Sequence, residues 1–293
     1  MRLKITTIGG LMLATVLGGV GVSASAQQAD DHGHMRHGHD AEQDARPARN
    51  TVVEDIPLAD GAFQRVWYAQ ARGASKGTVV MFPGGAGTIG IEKDGTIAHA
   101  DNFLVRTRDS WLQRGYGVVL VDAIGQRSLR GERSTAAYAD VTRKIVRFAQ
   151  EQGSGPVWLI GTSQGSIAAM NGAAHQTEGG IAGVILTESV SIPGKRSQET
   201  VFDAHPQAVT VPALIVANQE DRCDVALPSE ADAIARSLSH ARVTVLRVTS
   251  GLTRSREACS SLSPHGYYGI ENQVVDEVTH WMQTDRVSAR IDG

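Results

Sequence analysis

Only two cysteines, Cys223 and Cys259, occur in 293 residues, which excludes a disulfide-framed mini-fold and a cysteine-rich metal site. No block of basic residues appears, and the formal net charge is −3. That balance gives no electrostatic reason to expect nucleic acid as a partner. Beyond the N-terminal two dozen residues no apolar run approaches the ~20 residues a membrane-crossing helix needs. No cysteine lies near the end of the one apolar run that does exist, which argues against a lipid-anchored bacterial precursor.

That run begins after Arg2 and Lys4, extends from Ile5 to Val22 broken by glycines, and ends at Ala24-Ser25-Ala26, a small-x-small cleavage pattern. Residues 1–26 therefore read as a secretory signal peptide. An uncleaved anchor would want a longer stretch with fewer glycines. Cleavage removes two positive charges, taking the net charge from −3 to −5, and leaves residues 27–293, enough for one large α/β domain. The expected location is secreted or periplasmic. In that setting an even cysteine count reads as one disulfide, with two buried thiols or a poor two-thiolate metal site as the alternatives.

Residues 27–50 are polar, and Asp30-Asp31-His32-Gly33-His34-Met35-Arg36-His37-Gly38-His39-Asp40 lies within them. With almost no large apolar side chain, the segment cannot offset its ordering entropy, so a disordered leader is expected. Its imidazoles are able to bind a transition metal, but a solvated tail is the default reading.

From residue 51 to 293 the pattern is globular, with apolar strands alternating with helices. Ala62–Tyr68, Thr78–Phe82, Gly117–Val121, Val157–Ile160, Ala182–Leu186, Ala213–Ala217 and Val243–Val248 read as strands. Helices are expected over Asn102–Arg114, Thr135–Gln150, Ser229–Ser239 and Glu271–Met282. Short unbroken apolar strands separated by helices predict a mostly parallel sheet covered on both faces. Only about two dozen residues separate the strand ending near Glu188 from the one starting at Ala213, so no large cap domain fits there.

Gly161-Thr162-Ser163-Gln164-Gly165 stands between an apolar strand and a small-residue helix, the context in which G-x-S-x-G makes a nucleophile elbow. With 32 glycines in the chain the letters alone are weak; the strand and the helix carry the reading. Sites in open α/β sheets lie at the carboxyl ends of strands. Polar residues wait at later strand ends: Glu220, Asp221 and Asp224 after one strand, His265 after the next. The order Ser, Asp, His follows. A serine hydroxyl needs an imidazole to take its proton, and a carboxylate to orient that imidazole. Asp221 is the favoured acid and Asp224 the alternate, with Glu188 and Glu220 behind them. His99, His175, His205, His240 and His280 lie in loops or helix patterns and read as surface or structural. Asp122, also at a strand end, reads as a structural cap before a pocket residue. Two amides are needed for the oxyanion: that of Gln164, and one from Gly84-Gly85-Ala86-Gly87, with Gly85 ahead of Ala86. No Gly-Lys-Ser/Thr follows those glycines, so a phosphate loop is not expected.

Over residues 60–284 the chain resembles the α/β-hydrolase superfamily and, more narrowly, a group of exported bacterial serine hydrolases. The likeness rests on Phe82-Pro83-Gly84-Gly85-Ala86-Gly87, Asn102-Phe103-Leu104-Val105-Arg106, Val119-Leu120-Val121-Asp122, the Ser163 elbow, Asp221-Arg222-Cys223 and Pro264-His265-Gly266. It implies the α/β-hydrolase fold, with Ser163 as nucleophile, His265 as general base, Asp221 as orienting acid, and no cofactor or metal. A Cys223–Cys259 bridge would then tie the acid loop to the histidine loop. Arg106, with Asn102, is expected to pack against the loop ahead of it. The activity implied is cleavage of small carboxylic esters through an acyl-enzyme. The same triad also serves peptidases, lactonases and acyltransferases, and a non-catalytic protein using the His-rich leader is the reading furthest from these.

Overall fold

The computed structural model describes residues 51–176, 180–288 and 291–292. The expected signal peptide and leader lie outside them. The described residues contain a nine-stranded sheet in the order β1-β2-β4-β3-β5-β6-β7-β8-β9. Its strands are β1 (Thr51–Pro57), β2 (Phe63–Ala69), β3 (Gly77–Phe82), β4 (Tyr116–Val121), β5 (Val157–Thr162), β6 (Gly183–Thr187), β7 (Ala213–Asn218), β8 (Val243–Thr249) and β9 (Ile291–Asp292). Pairing is antiparallel for β1 with β2 and for β2 with β4, and parallel everywhere else.

The period of two along each strand divides the apolar residues between two cores. Val80 and Phe82 of β3, Val119 and Val121 of β4, and Val157 and Leu159 of β5 point to one face. There they meet α3 (Ala136–Gln152), α4 (Gly165–Ala174) and α5 (Ala231–Ser237). Val79 and Met81, Val118 and Leu120, and Trp158 and Ile160 point to the other. That face is covered by α1 (Phe103–Arg106), α2 (Arg108–Gln113) and α6 (Glu271–Thr284). Trp158 and Trp281 of α6 meet edge to face there, 5.7 Å between ring centres.

Two departures from the sequence reading have local causes. The helix expected over 102–114 is two short ones. Asn102 caps the first by accepting from Leu104 N at 3.0 Å, but the Thr107 hydroxyl turns back onto Phe103 O at 2.8 Å and the helix restarts at Arg108. The other is β1, whose Glu54, Asp55 and Pro57 hide it from a search for apolar runs. It is an edge strand, pinned to β2 by Asp55 accepting two bonds from Arg65 at 2.7 and 2.8 Å. The connection from β6 to β7 holds only two 3-10 turns, Val201–Ala204 and Pro206–Ala208, and no cap domain, as expected.

Asp122, fully buried at the end of β4, organises the loop after β3. Its carboxylate accepts from the amides of Ile89, Gly90, Ile91 and Ala123 and from Gln126 Nε2, at 2.7 to 3.3 Å. Asp122→Ala leaves those buried amides without an acceptor. Chemical unfolding should register a loss of about 3 kcal/mol or more, and a loss within error of zero would refute this account.

Candidate active site

Crowding of backbone on backbone shapes the turn after β5. A Cβ on Gly161 would lie 2.2 Å from Gly165 O, and one on Gly165 would lie 1.9 Å from Phe82 O. With both positions reduced to glycine the chain reverses in two residues, and Ser163 is forced to φ +53°, the left-handed region that costs a non-glycine residue about 1–3 kcal/mol. Ser163 N donates to Thr187 O at 2.9 Å, which ties the turn to the end of β6. Gly84 lies directly across: a Cβ there would stand 2.9 Å from Ser163 Cβ. Among the described residues the amides of Gln164, Gly85 and Ala86 donate to no other group.

Two strands further along the sheet, the loop after β7 carries Asp221 and the loop after β8 carries His265. His265 Nδ1 lies 2.7 Å from Asp221 Oδ2, and both residues are buried. Asp221 Oδ1 accepts from Cys223 N at 2.8 Å, so both carboxylate oxygens are in use. His265 Nε2 is buried with no hydrogen-bond partner. Ser163 Oγ donates to no group either, so serine and imidazole are both uncommitted and are not bonded to each other, as is common before substrate binds.

Asp224 is exposed. Its Oδ1 lies 3.6 Å from Cys259 Sγ, on the disulfide and away from the imidazole. Glu220, also exposed, pairs with Arg222 at 3.4 Å. Cys223 and Cys259 are joined, 2.08 Å between sulfurs, and tie the Asp221 loop to the segment that leads into His265.

Sequence reasoning did not find what holds that segment. Asn218, fully buried at the end of β7, donates Nδ2 to Ser250 O at 2.7 Å and Pro264 O at 3.0 Å. Tyr267 OH reaches Val216 O at 3.2 Å. Arg106 donates to Gly266 O and pairs with Glu271 at 2.8 Å. It also donates to Asp101 O at 2.6 Å, the local packing expected, but its larger role is to clamp the residue after His265.

The sequence profile of the alpha/beta hydrolase family matches residues 79–289. The chain belongs to that family. Among solved structures the hydrolase is similar to an arylesterase, at 15% identity and TM-score 0.56 over 81% of this chain and 86% of that one. An esterase of Pyrococcus furiosus is similar at 14% identity and TM-score 0.54, over 79% and 91% of the two chains. Est1E of Butyrivibrio proteoclasticus, solved with ferulic acid bound, shares 15% identity and TM-score 0.53, over 77% and 96%. At these identities the likeness is one of fold. No curated protein sequence matches the chain.

The hydrolase carries one further carboxyl group beside the pair. Glu188, at the end of β6, is buried and held at φ +42°. Its Oε1 accepts from Asn218 N at 2.8 Å, while Oε2 has no partner. Single ligating atoms of Glu188, Asp221 and His265 lie within 4.8 Å of one another. Burial first, and the Asp221 carboxylate second, push Glu188 well above the usual carboxylate range.

The folded state thus holds the Glu188 proton more tightly than the unfolded chain does. Stability from this group is complete below the ordinary glutamate pKa and is lost as pH rises toward the native value. Glu188→Gln copies the protonated form and removes the slope. Melting temperatures across pH should show the variant gaining on the wild type as pH rises, with Glu188→Ala below both throughout. A constant gap between wild type and Gln variant would show that Glu188 does not titrate in this way.

Proposed function

We propose that the protein is a serine esterase working outside the cytoplasm, with residues 1–26 as a cleaved signal peptide and 27–50 as a leader ahead of the catalytic domain. The observation that carries this reading is a strained Ser163 together with a buried Asp221–His265 couple whose second ring nitrogen is uncommitted among the described residues, all at the carboxyl ends of strands of one sheet. Ser163 Oγ attacks the ester carbonyl carbon while His265 Nε2 takes its proton, and Asp221 holds the ring and stabilises the imidazolium. The carbonyl oxygen becomes an oxyanion facing the amides of Gln164 and Gly85, with Ala86 beside them. Collapse breaks the ester bond, the leaving alkoxide takes the proton from His265, and water then repeats the sequence on the acyl-enzyme. An arylesterase and an esterase of Pyrococcus furiosus are among the similar solved structures, which supports ester cleavage here. A disulfide supports an oxidising location. No helix among the described residues is long and apolar enough to cross a membrane.

Ser163→Ala should lower kcat for p-nitrophenyl esters by about a thousandfold or more and abolish labelling by a fluorophosphonate. Turnover retained in that variant would refute the assignment. Converting both Cys223 and Cys259 to serine opens a loop whose closure is worth about 4 kcal/mol in the chain-entropy model. The expected outcome is a lower melting temperature together with a lower kcat in the molecules still folded, because Asp221 loses its tie to the His265 loop. Unchanged values of both would remove the bridge from the mechanism.

A further inference from the structure

Three arginines are linked to Gln164, the residue after Ser163, and none forms a salt bridge among the described residues. Arg133 is 1% exposed. Its Nη2 donates to Gly85 O at 3.1 Å and its Nη1 to Gln164 Oε1 at 3.4 Å. The same Gln164 amide donates Nε2 to Arg196 O at 2.9 Å, and Arg130 Nη1 donates to that carbonyl as well. One hydrogen-bonded chain therefore runs from the loop facing Ser163, through the residue after Ser163, to the backbone carbonyl of Arg196 and the guanidinium of Arg130. Arg130 is half-buried and Arg196 exposed.

The acids near Arg133 are Glu199 and Glu132. Glu199 is buried close by, but it is turned to the backbone: Oε1 accepts from the amides of Gly131 and Arg133, and Oε2 from Ser134. Glu132 is exposed and pairs with none of the three. Burial, and then the nearby charge of Arg196, pull the Arg130 guanidinium below the usual arginine range. The group is not a loose surface patch, since Asn171 Nδ2 grips Arg133 O at 2.8 Å. Cations crowded together and partly desolvated are costly unless an anion completes the set.

We propose that the ester substrate carries a carboxylate, in its acyl or its alcohol half, which Arg130 and Arg196 bind at the rim of the site while Arg133 adds its charge from beneath. The proposal rests on the esterase reading and names the class of ester.

Two matched comparisons test it, each corrected for turnover by Ser163→Ala. p-Nitrophenyl glutarate is set against p-nitrophenyl valerate, its chain-length match without the carboxylate. For the alcohol half, 4-carboxyphenyl butyrate is set against phenyl butyrate. In at least one comparison the anionic ester should have the higher kcat/KM by about tenfold or more, as a charge-assisted arginine–carboxylate contact implies, and added salt should shrink the ratio. Converting Arg130 and Arg196 together to glutamine should abolish it, and Arg147→Gln, on the exposed side of α3, should not. A ratio near one in both comparisons, or a ratio that survives the double variant, overturns the proposal while leaving the esterase reading intact. Absence of turnover of every ester, with no fluorophosphonate labelling of Ser163, overturns the esterase reading and this one with it.

Discussion

The approach of α4 to the ends of β3 and β5 is the constraint on which the site depends. Gly165 touches the carbonyl of Phe82 so closely that no side chain fits, and Gly161 stands in the same relation to Gly165. Once those backbones are in contact the chain has one way through the turn, with Ser163 in the left-handed region and its amide on Thr187. The strain at one residue is offset by the packing of two core layers on either side of the sheet. The crowding also aligns the loop after β3, because Gly84 faces Ser163 across the same contact. The amides that would meet an oxyanion are thus set by how sheet and helix pack. Asp122 extends the arrangement by gathering the amides of residues 89–91 further along that loop.

The other half of the site is assembled differently. Asp221 and His265 lie on loops, and loops move unless something fixes them. Bonds to backbone do most of that fixing: Asn218 to the carbonyls of Ser250 and Pro264, Tyr267 to Val216, Arg106 to Gly266. A carbonyl accepts whatever residue carries it, so this scaffold fixes the path of the chain and leaves few side-chain dependences inside the loop. The disulfide adds a covalent tie at the outer end, and buried Glu188 lies beside Asp221, its carboxyl pushed well above the usual carboxylate range first by burial.

Much of this was legible in the sequence, for identifiable reasons. Buried strands announce themselves as apolar runs, and the seven expected strands, one of them antiparallel β2, occupy strands of the sheet with ends shifted by at most two residues. The Gly161–Gly165 elbow was readable because a steric requirement leaves glycine at fixed spacing. β1 was hidden, since an edge strand exposed on one side need not be apolar. The break at Thr107 was hidden too, because a threonine in a helical pattern turns back on its helix only when its environment permits. Long-range pairings left the least trace. Nothing in the spacing of Arg106 and Gly266, 160 residues apart, marks a clamp. Likewise Glu188 is an ordinary strand-end acid until β6 and β7 lie side by side, as they do in parallel register.

The two flanks of Ser163 differ in charge as well as in construction. On one side, acid and imidazole are enclosed and bonded to each other. On the other, the Arg133 guanidinium and the Arg196 carbonyl hold the Gln164 side chain and Arg130 holds that carbonyl in turn, while of the nearby acids Glu132 is exposed and Glu199 has its oxygens taken by amides. A guanidinium bonded to a carbonyl is satisfied as a donor but not as a charge. Hydrogen bonding therefore explains why these arginines stay in place without explaining why they are arginines. A neutral donor such as glutamine could hold Gly85 O or Arg196 O at less desolvation cost. What a guanidinium adds is a fixed positive field beside the turn that carries Ser163, which is the basis for proposing an anionic ester as substrate.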